Sequence, residues 1–263
     1  CSGTISGAIA MTEPGAGSDL ANIKTSAKQN KDKFLINGQK TFISNGHISD
    51  LVITACKTTP DVGAKGISLL VVLRDDEGFS RGRNLEKIGW HAQDTAELFY
   101  SDVEVTVDRM IGEENKGFTY LMQELAQERL IVAIRAATTI EAALEETIKY
   151  TKGREAFGKP LFSFQNTRFK LAEAKTNATV VRSFIDQCTS LHMMQSLDAN
   201  DAAMAKLFAT ETMCKVLDDC LQMYGGYGYM WEYPIARMWA GQRIARIAGG
   251  SSEIMKEIIS RTL

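Results

Sequence analysis

The pattern of apolar and polar residues changes near Gly117 and divides the chain into two parts. Ahead of this point, short apolar runs rich in β-branched residues alternate with turn residues, a pattern typical of β-strands. Beyond it, apolar residues recur every three or four positions over long stretches, which is typical of amphipathic α-helices. The sequence therefore predicts a β part followed by an α part.

The β part predicts several short strands joined by turns. The apolar runs are residues 34–40, 51–56, 67–73, 97–100 and 103–105. Asn37-Gly38 is the commonest signal for a short hairpin turn, so we expect the chain to reverse there. Strands of this length and spacing indicate a small barrel or sandwich, and we expect no strand beyond residue 120.

The α part predicts four long helices. The first carries apolar residues at helical spacing from Leu121 onwards and is stopped by Gly153. The other three segments are at about 164–193, 198–226 and 235–262. Asp198 is placed to cap the third helix, and four long antiparallel helices pack as a bundle.

The predicted fold class is α+β multidomain, with a β-barrel middle domain over residues 1–111 and a four-helix bundle over residues 112–263. The chain has 263 residues, of which 44% are apolar, so it can fill two cores. The net charge of −2 offers no basic surface for nucleic acid or for an anionic membrane. No apolar run reaches membrane-spanning length, and we expect a soluble protein.

Cysteine and histidine are spaced in a way that argues against a metal site. The five cysteines contain no Cys-x-x-Cys pair, and the three histidines lie far apart in the sequence. Structural zinc sites need such clustered ligands. We therefore expect reduced thiols and no bound metal.

Three segments carry the candidate chemistry. They read Met11-Thr12-Glu13-Pro14-Gly15-Ala16-Gly17-Ser18-Asp19, Lys40-Thr41-Phe42-Ile43-Ser44-Asn45-Gly46 and Gln222-Met223-Tyr224-Gly225-Gly226-Tyr227-Gly228-Tyr229. Small residues let a flat or anionic ligand approach the main chain, although a segment like the first is by itself usually a plain turn. In this order and at these separations, the segments resemble the acyl-CoA dehydrogenase family of flavoenzymes over essentially the whole chain.

The resemblance implies a β-barrel domain followed by a helical bundle, and it implies FAD as the cofactor. Family members normally carry an all-helical domain ahead of this point, so we expect a chain that begins at Cys1 to be a fragment. The residues implied along the flavin ring are Met11, Thr12, Gly17, Ser18, Phe42, Ile43 and Ser44. An aromatic ring at Phe42 suits stacking on a flavin, but an ordinary barrel-core residue is equally compatible with the sequence.

A second group of residues is implied at the adenine end of an FAD bound to a neighbouring subunit. These residues are Arg154, Gln165, Gln222, Gly225 and Gly226. The planar guanidinium of Arg154 suits a pyrophosphate, whereas the two glycines also fit a simple helix end followed by a loop. A site shared between chains implies a homodimer or a homotetramer.

The resemblance also locates the catalytic base. Many family members carry a glutamate just before a Gly-Thr or Gly-Ser pair near the C-terminus, but this chain has Gly249 there, which cannot take a proton. Isovaleryl and long-chain members use a glutamate before an arginine in the first bundle helix, which corresponds to Glu128-Arg129. Glu128 shares a helical stripe with Leu125 and Val132, so we expect it to face an apolar interior with a raised pKa. The alternative is a structural ion pair with a nearby arginine.

The remaining implied contacts concern the substrate and the flavin. The substrate residues are Ser18, Gln127, Arg129, Gly249 and Gly250, and Ser251 and Glu253 are expected near the cofactor. Arg129 fits either the acyl-CoA entrance or a structural ion pair. The segment 223–235 and Met255-Lys256-Glu257 resemble the long-chain subgroup in particular.

The implied activity is FAD-dependent dehydrogenation of a fatty acyl-CoA to a trans-2-enoyl-CoA in β-oxidation, with electrons passed to an electron-transferring flavoprotein. The alternatives are an oxidase of the same fold, a branched- or short-chain dehydrogenase, and a non-catalytic scaffold. The expected compartment is the cytoplasm in a bacterium and the mitochondrial matrix in a eukaryote.

Overall fold

The computed structural model describes residues 2–263, and seven strands in its first part form one sheet. They are β1 (Gly7–Ala10), β2 (Ser26–Asn30), β3 (Lys33–Ser44), β4 (Leu51–Lys57), β5 (Ile67–Leu73), β6 (Phe79–Asn84) and β7 (Thr95–Thr106). Their order is β1-β4-β2-β3-β7-β6, and β5 pairs with β4.

The long strands β3 and β7 form the backbone of this sheet. They pair antiparallel along their whole length, from Lys33 opposite Thr106 to Ser44 opposite Thr95, with register shifts at two points in β3. Bulges of this kind bend a strand and increase its twist. The β domain predicted from the sequence is therefore confirmed as a curled sheet.

The strand predictions are correct in part. The run 67–73 coincides with β5, whereas the two short runs between residues 97 and 105 belong to one continuous strand, β7. The turn predicted at Asn37-Gly38 is wrong, because both residues lie inside β3 at a register shift where Gly38 has φ +150°. The chain reverses earlier, between β2 and β3, where Lys31 has φ +58°.

The helical part begins at Gly117, as the change of period predicts. Within residues 2–263 there are five α-helices: α1 (Gly117–Gly153), α2 (Gln165–Met193), α3 (Ala199–Met223), α4 (Pro234–Gln242) and α5 (Ser252–Ser260). The Asp198 side chain accepts a 2.7 Å hydrogen bond from the backbone N–H of Asp201, which confirms the predicted cap. Buried residues of α1, α2 and α3 form the core, including Ile140, Ile185 and Met213.

The last predicted helical segment, 235–262, is divided into two helices. A 3₁₀ turn at Arg243–Arg246 follows α4, and Gly249 and Gly250 then adopt φ of +68° and +94°. Such positive φ values are accessible to glycine at little cost and end a helix. The glycine pair therefore forms a loop ahead of α5.

One local element was not expected. Glu155–Ala156 and Lys159–Pro160 pair as the short antiparallel strands β8 and β9, so the expectation of no strand beyond residue 120 is wrong. Phe157 and Gly158 form the turn with φ of +54° and +74°, and positive φ at both positions matches the twist of a hairpin. Phe157 is left 95% exposed at the tip.

The chain divides by its internal contacts into two units, one ending at Gln123 and the other spanning Glu124–Leu263. The first unit contains the sheet, and the second contains most of α1 and the helices that follow. The core of the sheet is built from inward residues such as Phe34, Ile36, Val52 and Leu98. Each unit therefore has its own core.

We predict that Gly38→Ala destabilises the first unit. A Cβ at this position would lie 2.4 Å from Thr25 Oγ1 and 2.6 Å from Thr25 Cα, and its φ would be strained. We expect a loss of about 1–3 kcal/mol in the free energy of unfolding, measured by urea denaturation. The control is Gly15→Ala, where no atom lies within 4 Å and the loss should be negligible. Equal midpoints for the two variants would contradict this interpretation of the bulge.

Candidate active site

The first glycine-rich segment forms a tight loop after β1. The backbone N–H of Ala16 donates to the Glu13 carbonyl at 3.1 Å, and the N–H of Glu13 donates to the Ala16 carbonyl at 3.0 Å. No atom lies within 4 Å of a Cβ built on Gly15 or Gly17. The outer side of this loop therefore has room for a ligand against the main chain.

A buried ion pair holds this loop. Lys40 Nζ lies 2.9 Å from Glu13 Oε1 and donates a second hydrogen bond to the Met11 carbonyl, also at 2.9 Å. The Glu13 carboxylate also accepts from the backbone N–H groups of Lys24 and Thr25, at 2.6 and 3.0 Å. Both charged side chains are almost completely excluded from solvent.

The environment keeps the Glu13 carboxyl ionised, whereas burial lowers the pKa of its partner Lys40 and Glu13 counteracts this effect. Burial alone would raise the pKa of the Glu13 carboxyl, but the Lys40 ammonium and the hydrogen bonds from Thr25 and Lys24 hold it below its usual value. Sequence analysis missed this pair. The sequence does contain one sign that Lys40 is buried. Lys40 occupies an even-numbered position of β3, as do the buried residues Phe34 and Ile36.

The ion pair brings the first two segments together. Lys40 is the first residue of the second segment, and the N–H of Thr41 donates to the Thr12 carbonyl at 2.9 Å. Phe42 lies at the second register shift of β3 with φ +59°, and its side chain is 68% exposed. Phe42 is therefore not a core residue, and its ring is available to a flat ligand. Ile43 is buried in the core of the sheet, which leaves only its backbone for a ligand.

Glu128 lies on α1 in the second unit and is exposed, which differs from the expected apolar interior. The reason is that Leu125 and Val132, which share a face of α1 with Glu128, are only half-buried. This part of α1 therefore lies at the edge of the core. Burial by surrounding protein atoms nonetheless raises the pKa of the Glu128 carboxyl, Glu124 raises it further, and Arg129 opposes both.

The neighbouring arginine is buried. Among residues 2–263, no ion pair joins Arg129 to Glu128, and Arg129 Nε has no hydrogen-bond partner. Burial lowers the pKa of the Arg129 guanidinium, although Glu128 counteracts this effect. Gln127, which precedes the pair, is exposed. The geometry does not support a simple structural ion pair between Glu128 and Arg129.

The glycine loop ahead of α5 lies against the same helix. A Cβ built on Gly249 would lie 4.0 Å from Val132 Cγ2, and Val132 follows Glu128 by one helical turn. The two positions at which the family places its base therefore lie close together within the second unit.

Ser251 caps α5 by accepting from the N–H of Ile254 at 3.4 Å. Glu253 is exposed, and backbone and Ser251 hydrogen bonds lower its pKa, so it is a weaker base than Glu128.

A separate cluster surrounds the end of α3. The Arg154 guanidinium lies 5.6 Å from the centre of the Tyr227 ring, next to the positions of Gly225 and Gly226. Both glycines have open space where a Cβ would lie, and Gly225 has φ +56°. The two glycines thus follow the end of α3 at the start of a 3₁₀ turn over Gly225–Tyr229, as the simpler interpretation of the sequence expects, and their open sides leave room for a ligand. Gln165 and Gln222, at the adjoining ends of α2 and α3, are exposed.

Stacked tyrosines support this loop. The rings of Tyr150 and Tyr224 are parallel with centres 4.0 Å apart, and Tyr233 meets both edge-on. Tyr227 packs on Tyr233 with ring centres 5.1 Å apart. Aromatic contacts of this kind add to the stability of buried surface and fix the loop in place.

Two other kinds of feature are absent from the part of the chain that the structure describes. Among residues 2–263, no group of three or more histidine, cysteine, aspartate or glutamate side chains is arranged to hold a metal ion. Within the same residues, every helix is too short or too polar to cross a lipid bilayer.

Comparisons with known proteins agree with this architecture. Residues 8–103 match the model of the acyl-CoA dehydrogenase middle domain, and residues 115–263 match that of the acyl-CoA dehydrogenase C-terminal domain. The mouse mitochondrial long-chain specific acyl-CoA dehydrogenase is 50% identical over 98% of this chain and 60% of its own length. An acyl-CoA dehydrogenase of Bacillus subtilis is 38% identical over 100% of this chain and 69% of its own length.

A solved structure gives the same result. The crystal structure of an acyl-CoA dehydrogenase from Geobacillus kaustophilus superposes with a TM-score of 0.96 at 50% identity, over 97% of this chain and 68% of that one. The chain spans about 60% of the length of the long-chain relatives that it matches. The chain therefore belongs to the acyl-CoA dehydrogenase family of flavoprotein oxidoreductases and carries the family's middle and C-terminal domains.

Proposed function

We propose that the protein containing this chain converts a fatty acyl-CoA thioester to a trans-2-enoyl-CoA, with Glu128 as the base. The observation that carries the proposal is the placement of Glu128. It is a solvent-accessible carboxyl with a raised pKa, one helical turn from the residue that faces the Gly249 loop. Gly249 cannot supply a carboxylate, so Glu128 is the group available at this place.

The residues present fit FAD. Phe42 offers an exposed ring, and the first loop leaves its main chain open at Gly15 and Gly17. Met11, Thr12, Ser18 and the backbone of Ile43 and Ser44 would hold the flavin, as would Ser251 and Glu253. Gln222, Gly225 and Gly226 would hold the dinucleotide of a neighbouring subunit together with Arg154 and Gln165. When bound, FAD supplies an acceptor for the hydride from the substrate β-carbon.

Glu128 would remove the α-proton of the thioester. A base works best when its pKa approaches the working pH, and the shift of Glu128 is in that direction. Arg129, whose Nε lacks a protein partner, would place a positive charge near the substrate. Ser18, Gln127, Gly249 and Gly250 would contact the acyl-CoA, and the small glycines would leave room for it.

We propose an electron-transferring flavoprotein as the electron acceptor and a long acyl chain as the substrate, since the long-chain relatives are 50% identical to this chain.

Anaerobic mixing of the full-length protein with an acyl-CoA should bleach the flavin. Fast reoxidation by air would instead favour an oxidase. Purified protein without flavin absorption would favour a non-catalytic scaffold.

We predict that Glu128→Gln abolishes flavin bleaching while binding of FAD and acyl-CoA persists, because the amide keeps the shape but cannot take a proton. The rate of flavin reduction should fall by about 10²–10⁴-fold in stopped-flow measurements. The control is Glu124→Gln on the same face of α1, which should reduce the flavin at nearly the wild-type rate. Undiminished reduction in Glu128→Gln would show that another carboxylate is the base.

A second variant tests the neighbouring position. Gly249→Glu in the Glu128→Gln background should restore part of the rate, because the two positions lie close together. The rescue should be partial, since a side chain at φ +68° is strained by about 1–2 kcal/mol. In the wild type, the acidic decline of the rate should occur at a higher pH than an unperturbed glutamate would give, because the pKa of Glu128 is raised.

We predict that the full-length protein is a dimer or a tetramer in which Arg154 binds the FAD of a neighbour. Arg154→Ala should weaken FAD binding by about tenfold or more, because a charge-assisted contact to the pyrophosphate is lost. Lys149→Ala, which removes an exposed cation near the end of α1, is the control and should bind FAD normally. Light scattering that gives only a monomer with FAD fully bound would contradict the shared site.

A further inference from the structure

Lys206 is a buried ammonium in the middle of α3 that the proposed reaction does not use. Its side chain is completely excluded from solvent, and it donates a 2.5 Å hydrogen bond to the carbonyl of Gly250. Among residues 2–263, no carboxylate lies within ion-pairing distance of its Nζ. Burying an ammonium without a counter-charge is costly, so packing alone does not explain a lysine here.

Lys206 acts on the centre of the loop between α4 and α5. Gly249 and Gly250 both have positive φ, a conformation that glycine adopts at little cost, so their side chains do not hold this stretch in place. Because a trans peptide is planar, fixing the Gly250 carbonyl towards Lys206 also points the N–H of Ser251 in the opposite direction. One hydrogen bond therefore sets the orientation of a peptide at the candidate substrate contact.

A second residue of α3 holds both ends of the same loop. Glu211 Oε1 accepts from Arg246 Nε at 2.7 Å and from Ser252 Oγ at 2.6 Å. Arg246 precedes the loop and the buried Ser252 follows it. The loop is thus fixed at its ends by Glu211 and at its centre by Lys206.

We propose that Lys206 is a positioning residue that fixes the Gly249–Gly250 loop from inside the bundle, so that its backbone can contact the acyl thioester beside Glu128. The contact with the thioester rests on the proposed function, whereas the fixing of the loop does not. The role requires only that the side chain donate a hydrogen bond to the Gly250 carbonyl.

The charged surroundings make this contact sensitive to pH. Burial and, to a smaller extent, Arg129 on α1 lower the pKa of Lys206, Glu211 on α3 and Glu253 on α5 counteract them, and together these groups bring the pKa to about 8. The ammonium is a stronger donor than the neutral amine. The contact should therefore weaken as the pH rises through about 8.

The test uses Lys206→Met in the full-length FAD-loaded protein, with Lys215→Met on an exposed turn of the same helix as the control. Amide hydrogen exchange of residues 247–251 should accelerate by about tenfold or more in Lys206→Met only, because a hydrogen bond to a charged donor is lost. The rate of flavin reduction should fall by a similar factor, while the melting temperature and FAD binding stay near wild type. Unchanged exchange in the loop would overturn the proposal, as would equal acceleration along all of α3.

A wild-type measurement covers the case in which Lys206→Met does not fold. Loop protection, corrected for intrinsic exchange, should decrease between pH 7 and pH 9 through about 8, and loop amides that exchange as fast as unprotected backbone already at pH 7 would overturn the proposal. If Lys206→Met accelerates loop exchange but the wild type fails to reduce its flavin with acyl-CoA, the proposed reaction is wrong and the fixing of the loop stands.

Discussion

The buried ion pair between Glu13 and Lys40 fixes the geometry of the two candidate binding segments in the first unit. Lys40 contacts both the Glu13 carboxylate and the Met11 carbonyl, and Glu13 accepts from the backbone of Lys24 and Thr25. Two charges removed from water are tolerated only when they are paired and their hydrogen bonds are satisfied. The pair therefore specifies one geometry for the loop, and through Thr41 it fixes the exposed ring of Phe42 in relation to that loop.

The second unit uses a related device with a different partner. Lys206 is also a buried ammonium that donates to a backbone carbonyl, here that of Gly250. Its negative neighbours Glu211 and Glu253 lie beyond ion-pairing distance, whereas Glu13 contacts Lys40 directly. In both units a flexible glycine-containing segment gains a fixed orientation from a lysine in the core. Loops that bind ligands need open backbone on one side, and these lysines supply the rigidity from the other side.

The sequence predicted those features of the fold that depend on local pattern. The boundary near Gly117, strand β5 and the Asp198 cap follow from hydrophobic period and capping chemistry. Asn37-Gly38 misled the prediction, because long-range pairing with β7 placed a favourable turn sequence inside a strand. Strand β2 has a polar sequence and is specified by its neighbours rather than by its own residues.

The candidate site was predictable by resemblance in its residues but not in its contacts. The sequence could not show that Lys40 reaches Glu13 across 27 positions or that Lys206 reaches Gly250 across 44, because both contacts depend on tertiary structure. The exposure of Glu128 was likewise missed. A helical stripe predicts which face of a helix packs, but not where along its length the core ends.

A double-mutant cycle on Glu13→Gln and Lys40→Met tests whether the buried ion pair couples the first two segments. The free energy of unfolding and the FAD affinity are measured for each variant. If the ion pair links the two segments, each single variant should lose about 3–5 kcal/mol of stability, because one buried charge is left unpaired. The double variant should then lose little more than either single variant, and FAD affinity should show the same non-additivity. Losses that simply add would show that the two segments are held independently, which would contradict a role for the ion pair in holding them together.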